Sequence, residues 1–244
     1  MKKWDRVYII GAGPGDPELL TVKGARLIRE ADLIIYANSL VTEEIVNINE
    51  DAEKIESYGL TLSEIIDCIR ENFLKKNIVR IHSGDPSIYS SVFEETEKLK
   101  EYSIPFEIVP GVSSFLAASA KIAREYTLPG ISQTLILSRI QGKTPVPERE
   151  SLSSLSSHKT SMVLFLSIGH AEKVQKELLS SYSPDTPVVI AYRLTRPDEK
   201  IIWTRLSSLY DTVKREKIEK TALILVGEFL DPPSHIRSYL YGKK

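Results

Sequence analysis

Short apolar runs alternate with amphipathic segments along the chain, which predicts strands alternating with helices. Runs such as Val7–Ile10 and Leu223–Val226 are almost continuously apolar, as in strands covered on both faces. The alternation favours an α/β fold. The predicted strands are Arg6–Ile10, Leu33–Tyr36, Ile78–His82, Phe106–Val109, Thr134–Ser138, Met162–Leu166, Val188–Tyr192 and Ala222–Val226.

Capping residues place the starts of two helices. Thr21 is a candidate N-cap for the helix that follows it. Thr61 and Glu64 have the spacing of a capping box, and the apolar positions after them keep a helical period. The other predicted helices are Ser91–Tyr102, Ser114–Tyr126, Ala171–Tyr182 and Leu206–Glu216.

A break in the helical pattern at Thr127–Gly130 divides the chain. We predict one α/β domain over residues 1–125 and a second over 126–244, with about four strands each, enough for a sheet in each domain. The serine- and proline-containing segment Gln141–Ser157 has no clear period and is predicted to be a long connection within the second domain.

Composition excludes several classes of protein. Lys and Arg number 32 against 33 Asp and Glu, which argues against a protein built to bind nucleic acid but leaves room for a local basic pocket. A single cysteine excludes an intrachain disulfide, and the four histidines lack the spacing of a zinc site, so we expect no metal site. Without a signal-peptide core or a long apolar run, we expect a soluble, cytoplasmic protein with no membrane partner.

The glycine-rich loop Gly11–Pro17 follows the first strand but does not match a dinucleotide fingerprint. Asp16 stands where the third glycine is required, and its charge would oppose a pyrophosphate. Pro14 and Pro17 remove N–H donors that a phosphate cradle would use. Two interpretations stay open, a tight strand-to-helix turn and a loop facing a ligand that has no phosphate.

Two further loops favour the ligand interpretation. Ser83–Tyr89 follows the third predicted strand, and Pro110–Phe115 follows the fourth. Ligands of open α/β sheets bind beyond the carboxyl ends of the strands, so these loops predict one shared site. Asp85 offers a carboxylate to a ribose hydroxyl or an amine, whereas Ser113 and Ser114 also fit a helix N-cap.

Three segments together resemble a known family. GAGPGDPELLTVKG at 11–24, SGDPSIY at 83–89 and PGVSSF at 110–115, in this order, resemble the tetrapyrrole (corrin/porphyrin) methyltransferases. The resemblance implies two α/β domains with a cofactor cleft between them, usually in a homodimer. It also implies S-adenosyl-L-methionine as cofactor, S-adenosyl-L-homocysteine as product and a small-molecule tetrapyrrole as substrate.

Later segments resemble one branch of that family. REYTLPGISQT at 124–134, SRIQGKTPVPERESL at 138–152 and YRLTRPDEKI at 192–201 resemble the branch that methylates C-11 of precorrin-4 or cobalt-precorrin-4 in cobalamin biosynthesis. The product would be precorrin-5 or its cobalt form. Alternatives are another corrin position, ribosomal RNA, the diphthamide precursor, or a binding module without turnover. The sequence does not decide whether the substrate contains cobalt.

Site residues follow from the resemblance. Ala37 stands where porphyrin-branch relatives carry an acidic residue, so no catalytic residue is assigned. The cobalt would arrive inside the substrate. For the substrate carboxylates, the resemblance implies Arg139, Lys143 and Arg193. For the cofactor, it implies Pro14, Ser83, Gly84, Asp85, Ile88, Ser113, Ser114, Leu166, Arg193 and Ala222.

Overall fold

The structure is a computed structural model that describes residues 3–142 and 144–233. The chain divides into two compact units, of which the first ends at Ala117 and the second begins at Ala118. Each unit is built on its own five-stranded sheet with helices packed against it. The predicted α/β fold with two domains is confirmed.

The first unit contains an all-parallel sheet in the order β3-β2-β4-β1-β5. Its strands are β1 (Val7–Gly11), β2 (Leu33–Tyr36), β3 (Glu53–Glu56), β4 (Ile78–His82) and β5 (Phe106–Val109). The first strand lies between β4 and β5, with Gly11 beside His82. The carboxyl ends of these three strands are therefore neighbours, and so are the loops that follow them.

Helices cover both faces of this sheet. They are α1 (Val22–Glu30), α2 (Glu43–Val46), α3 (Leu62–Asn72), α4 (Val92–Glu101) and α5 (Ser114–Ile122), the last of which contains the division between the units. The Thr21 hydroxyl accepts a hydrogen bond from the Gly24 N–H, and Thr61 and Glu64 form the expected capping box. Ile10 packs with residues of α1, whereas Ile9 packs with residues of α3 and α4.

The second unit contains a mixed sheet in the order β6-β7-β10-β8-β9. Its strands are β6 (Leu135–Arg139), β7 (Ser161–Phe165), β8 (Pro187–Tyr192), β9 (Lys200–Arg205) and β10 (Ala222–Val226). The β6–β7 pair is parallel, and the other three pairs are antiparallel. One side of the sheet, where strands end or begin, therefore carries the ends of β6, β7 and β8 and the starts of β9 and β10.

The helices of the second unit are α6 (Leu152–Ser156), α7 (Ala171–Leu178) and α8 (Leu209–Glu216). They bury one face of the sheet in a single apolar cluster. Helix α6 lies in the segment predicted as a long connection, and its Leu152 is 1% exposed. One buried leucine among serines gives no helical periodicity of apolar residues, so the sequence did not predict this helix.

Two strands were missed by the sequence pattern. Strand β3 reads EKIE and strand β9 reads KIIWTR, and both are edge strands with exposed or partly exposed side chains and at most three consecutive apolar residues. Edge strands lack the continuous apolar run that marks a central strand. The strand predicted to end at Leu166 ends at Phe165, and the helix predicted to reach Tyr126 ends at Ile122. Within the described ranges, no helix is long and apolar enough to cross a bilayer.

Candidate functional site

Three loops come together at the carboxyl edge of β4, β1 and β5. The residues after β1 and β4 form an isolated bridge, in which Gly13 and Gly84 exchange hydrogen bonds of 3.1 Å and 2.7 Å. The Ala12 N–H donates to the His82 carbonyl at 2.7 Å. We call this set of loops, residues 11–16, 83–89 and 110–114, the glycine edge.

Glycines at the ends of the strands allow this close approach. A Cβ added to Gly111 would lie 2.2 Å from the Gly84 carbonyl oxygen and 2.7 Å from the Gly11 carbonyl carbon. A Cβ at Gly11 would lie 2.6 Å from the Gly111 nitrogen. Three backbones therefore touch where any larger residue would separate them.

The Asp85 carboxylate joins two loops of the glycine edge. One oxygen accepts a 2.8 Å hydrogen bond from the Gly111 N–H, and the other accepts from the N–H and hydroxyl of Ser87. Burial alone would raise the pKa of Asp85, but these hydrogen bonds outweigh it and lower the pKa below its usual range. The carboxylate is thus ionised and holds the loops after β4 and β5 together.

The remaining first-unit candidates lie on the same edge. Pro14, Ser83 and Ile88 are partly buried there. Ser113 is 5% exposed and lies directly before α5, which begins at Ser114. Its carbonyl accepts hydrogen bonds from Leu116 and Ala117, so Ser113 stands at the first turn of the helix. The first-unit residues that the sequence proposed for the cofactor therefore all lie on the three loops of the glycine edge.

Strained residues mark the shared edge of the second-unit sheet. Leu166 follows β7, Arg193 follows β8 and Thr221 precedes β10, with φ angles of 52°, 47° and 57°. The left-handed region costs a non-glycine residue about 1–2 kcal/mol, and such strain is concentrated at functional sites. Leu166 is also 66% exposed although it is apolar. Leu74 shares both properties elsewhere in the chain, so it is the grouping of three strained residues at one end of the sheet that favours a binding role there.

Basic residues lie on the same second-unit edge. Arg139 ends β6 and donates a 2.7 Å hydrogen bond to the Thr144 carbonyl. Arg193 donates to the Asp198 carboxylate at 2.7 Å and is a third exposed. Its backbone N–H donates to the Thr221 carbonyl at 3.0 Å, which ties the ends of β8 and β10. Lys143 lies outside the described residues.

Ala222 has a different environment from its neighbours on that edge. It is 8% exposed and belongs to the apolar cluster of the second unit. It pairs with Tyr192 at the end of β8. Its methyl group contributes to the core, whereas the preceding Thr221 is exposed and strained.

A cavity of about 490 Å³ lies at the opposite ends of the second-unit strands, away from Leu166, Arg193 and Thr221. Its lining includes Pro187, which begins β8, and Arg205, which ends β9. Arg124 lies over the ring of Trp203 there, with its guanidinium carbon 5.8 Å from the ring centre. The cavity is therefore separate from the strained residues at the other ends of these strands.

The chemistry of the glycine edge excludes a phosphate cradle. Asp16 caps a short 3₁₀ helix, Pro17–Leu19, by accepting from the Glu18 N–H at 2.8 Å, so the loop does not open directly into α1. Two carboxylates, Asp16 and Asp85, and three prolines disfavour an anion and suit a cation or hydroxyl groups. Among the described residues, no group of His, Cys, Asp and Glu is arranged to hold a metal ion.

Sequence reasoning missed several contributors to these edges. Gly11 and Gly111 are needed for the backbone contact, and their position at strand ends was the available signal. Asp198 pairs with the side chain of Arg193, which no residue pattern shows. Glu95 also reaches the end of β4, through its contact with His82.

Comparisons with known proteins give the chain its family. The model of the Tetrapyrrole (Corrin/Porphyrin) Methylases matches residues 6–210. A cobalt-precorrin-4 C(11)-methyltransferase of Methanocaldococcus jannaschii is 47% identical over 98% of this chain and 93% of its own. A precorrin-4 C(11)-methyltransferase of Pseudomonas aeruginosa is 40% identical over 96% of this chain and 94% of its own.

Solved structures agree with this assignment. The structure of a cobalt precorrin-4 methyltransferase, a cobalamin biosynthetic enzyme, matches with a TM-score of 0.90 and 44% identity over 93% of this chain and 96% of that chain. A uroporphyrin-III C-methyl transferase of Thermus thermophilus, complexed with S-adenosyl homocysteine, matches with a TM-score of 0.77 and 27% identity over 93% of each chain. The chain therefore belongs to the tetrapyrrole (corrin/porphyrin) methylases.

Proposed function

We propose that the protein is an S-adenosylmethionine-dependent methyltransferase that acts at C-11 of cobalt-precorrin-4 or precorrin-4 in cobalamin biosynthesis. The observation that carries this proposal is the 40–47% identity, over nearly the whole chain, to relatives named for that reaction. The segments around 124–134, 138–152 and 192–201 resemble the same branch.

The glycine edge fits the proposed cofactor. S-adenosylmethionine has a sulfonium cation, a ribose and an amino-acid end but no phosphate, and it supplies an activated methyl group when bound. The ionised Asp85 and the partly buried Ile88 offer a negative charge and an apolar wall. The close backbones at Gly84 and Gly111 offer a surface without side chains. On the second unit we assign Leu166, Arg193 and Ala222 to cofactor binding, with Ala222 acting through its backbone.

The chain's own contribution to the reaction is alignment. Methyl transfer from an activated donor needs proximity, orientation and exclusion of water, and no covalent nucleophile. The hydrogen-bonded loops of the glycine edge supply a fixed surface for this purpose. No residue is assigned as the proton acceptor.

Substrate carboxylates require basic partners. Arg139 and Arg193 lie at the same strand ends of the second unit as the strained residue Leu166. Their guanidinium groups suit bidentate binding of carboxylates. We assign both to the substrate, together with Lys143 from the adjoining segment. Arg193 exchanges its contact with Asp198 for a substrate carboxylate in this proposal.

A labelled transfer assay tests the function. The protein is incubated with S-adenosylmethionine carrying a ¹³C methyl group and either cobalt-precorrin-4 or precorrin-4. We expect a product heavier by one methyl, with the label at C-11, and the comparison of the two substrates identifies the cobalt requirement. A label at another ring carbon, or transfer only to ribosomal RNA or to an elongation-factor side chain, contradicts the proposal.

The proposal includes a homodimer, as the family resemblance implies, and a cytoplasmic location. Sedimentation at micromolar concentration gives the mass in solution, and a monomer at every concentration argues against the dimer. Fractionation of cells that express the protein tests its location, and recovery outside the cytoplasmic fraction argues against the second part.

A further inference from the structure

Three charged or titratable side chains are buried together behind the glycine edge. Arg80 and His82 lie on β4 and are 7% and 8% exposed, and Glu95 lies on α4 and is 2% exposed. Residues two apart on a strand point to the same face, so both β4 side chains face α4. We call Arg80, His82 and Glu95 the buried triad.

The Glu95 carboxylate is the centre of the triad. One oxygen accepts from the Ser91 hydroxyl at 2.9 Å and from Arg80 at 3.3 Å. The other lies 3.0 Å from His82 Nε2 and 3.4 Å from Arg80 Nε. Burial raises the pKa of Glu95, but the His82 and Arg80 contacts outweigh it and hold that pKa at about 2. The carboxylate is therefore ionised and satisfied.

Arg80 connects the triad to two other strands. Its guanidinium donates to the Ser57 hydroxyl at 3.0 Å and to the Ile35 carbonyl at 3.4 Å. Ser57 follows β3 and Ile35 belongs to β2. The triad thus fixes β4 relative to its neighbours and to α4.

His82 connects the triad to the glycine edge. It is the last residue of β4 and directly precedes Ser83, Gly84 and Asp85. Its ring contacts Glu95, while its backbone carbonyl accepts from the Ala12 N–H at 2.7 Å. The ring contact with Glu95 therefore restrains the position of His82, and with it the carbonyl that holds the loop after β1.

Stability alone is a weak reason for such a cluster. Apolar residues of similar volume often stabilise a core as well as a buried ion pair does. A directional contact does what an apolar residue cannot, because it fixes the orientation of one strand end. From this geometry we propose that Glu95 is a positioning residue that, through His82, sets the backbone of residues 82–85 for cofactor binding. The inference rests on the proposed function.

Two variants separate positioning from folding. His82→Phe keeps a ring but removes the nitrogen that contacts Glu95 and leaves the Arg80–Glu95 pair, and Glu95→Gln removes the charge in an almost isosteric way. We expect both to weaken S-adenosylhomocysteine binding about tenfold, the value of a hydrogen bond to a charged group. The Michaelis constant for S-adenosylmethionine should rise by a similar factor, while the Michaelis constant for the tetrapyrrole should stay within twofold of the parent's.

Matched controls decide the outcome. Glu101→Gln makes the same change at an exposed position of α4 and should leave binding unaltered. Ile69→Ala, in the core under α3, gives a loss of melting temperature without touching the triad. A folded His82→Phe protein that binds S-adenosylhomocysteine within twofold of the parent overturns the proposal, even if Glu95→Gln does not fold. An equal loss of affinity in Ile69→Ala also overturns it. If the parent itself does not bind S-adenosylhomocysteine, the proposed function fails instead.

Discussion

The Asp85 carboxylate accepts a 2.8 Å hydrogen bond from the backbone N–H of Gly111, which lies 26 positions later in the chain. This bond joins the loops that follow β4 and β5. The sequence suggested that Asp85 offers its carboxylate to a ligand. In the structure both oxygens are engaged within the protein, so Asp85 contributes at least partly by holding the loops in place.

Replacing Asp85 with alanine should weaken cofactor binding without unfolding the protein. The Gly111 N–H would lose its partner, and the two loops would lose their connection. We expect about a tenfold loss of S-adenosylhomocysteine affinity in calorimetry, with a small change in melting temperature. Asp67→Ala, which breaks an exposed ion pair with Arg70, is the control. An affinity equal to that of the parent would refute the role of Asp85.

Gly111→Ala should disrupt the glycine edge more severely. The new methyl group would lie 2.2 Å from the Gly84 carbonyl oxygen, so one backbone must move. Overpacking of this kind costs about 1–3 kcal/mol, measured as the free energy of unfolding in urea. Gly142→Ala, whose methyl group would meet its nearest neighbour at 3.7 Å, is the control for stability. Unchanged stability and unchanged binding would together contradict the contact.

Leu166→Gly should raise stability and lower binding at the same time. Relief of the left-handed φ of 52° is worth about 1 kcal/mol, reduced by the greater freedom of glycine in the unfolded chain. Leu74 is a close match, with a φ of 65° and 64% exposure against 66% for Leu166. We expect Leu74→Gly to gain stability as well but to keep its affinity for S-adenosylhomocysteine. Equal affinities in the two variants would remove Leu166 from the site.

Arg139→Ala should affect the tetrapyrrole and not the cofactor. Loss of a guanidinium that binds a carboxylate should raise the Michaelis constant for the tetrapyrrole about tenfold. The affinity for S-adenosylhomocysteine should stay within twofold of the parent's. Arg215→Ala removes an exposed arginine of α8 and serves as control. The assignment fails if both variants show the same kinetics.

Acid should destabilise the parent protein more than the Glu95→Gln variant. The folded pKa of Glu95, about 2, lies below the ordinary value of 4.5, so its stabilisation is present above pH 4.5 and is lost as the pH falls toward 2. Between pH 6 and pH 3 this carboxylate accounts for about 2 kcal/mol of the loss in unfolding free energy. Urea titrations at both pH values measure the difference between the variants. Glu101→Gln should show the full loss of the parent, and a parallel pH dependence for Glu95→Gln would be inconsistent with an ionised Glu95 in the folded protein.

The central strands were readable because their residues are buried on both faces. Leu33–Tyr36, Ile78–His82 and Ala222–Val226 have the bounds predicted from their apolar runs. Strand β3 was not readable, because an edge strand with a glutamate at each end has no such run. Polar residues in an edge strand form the same backbone hydrogen bonds with the neighbouring strand, but they produce no apolar pattern in the sequence.

The loops that carry the candidate site were readable, but their internal contacts were not. Glycine and proline at strand ends marked the three loops of the glycine edge. The contact between Gly11 and Gly111 depends on strand order, because β1 lies beside β5 in the sheet. The contact between His82 and Glu95 joins two elements that lie 13 positions apart, and no pattern in the sequence showed it.

The place of β1 in the sheet governs when the protein can form its site during synthesis. The strand pairs with β4 and β5 and not with β2, so it has no neighbour until residues 78–82 have been made. The contact between β2 and β3 closes a much shorter loop and is available earlier. The first loop of the chain therefore acquires its shape late, together with the two loops that it touches. A nascent chain that stops before residue 106 would carry the glycine motif without its complete surroundings.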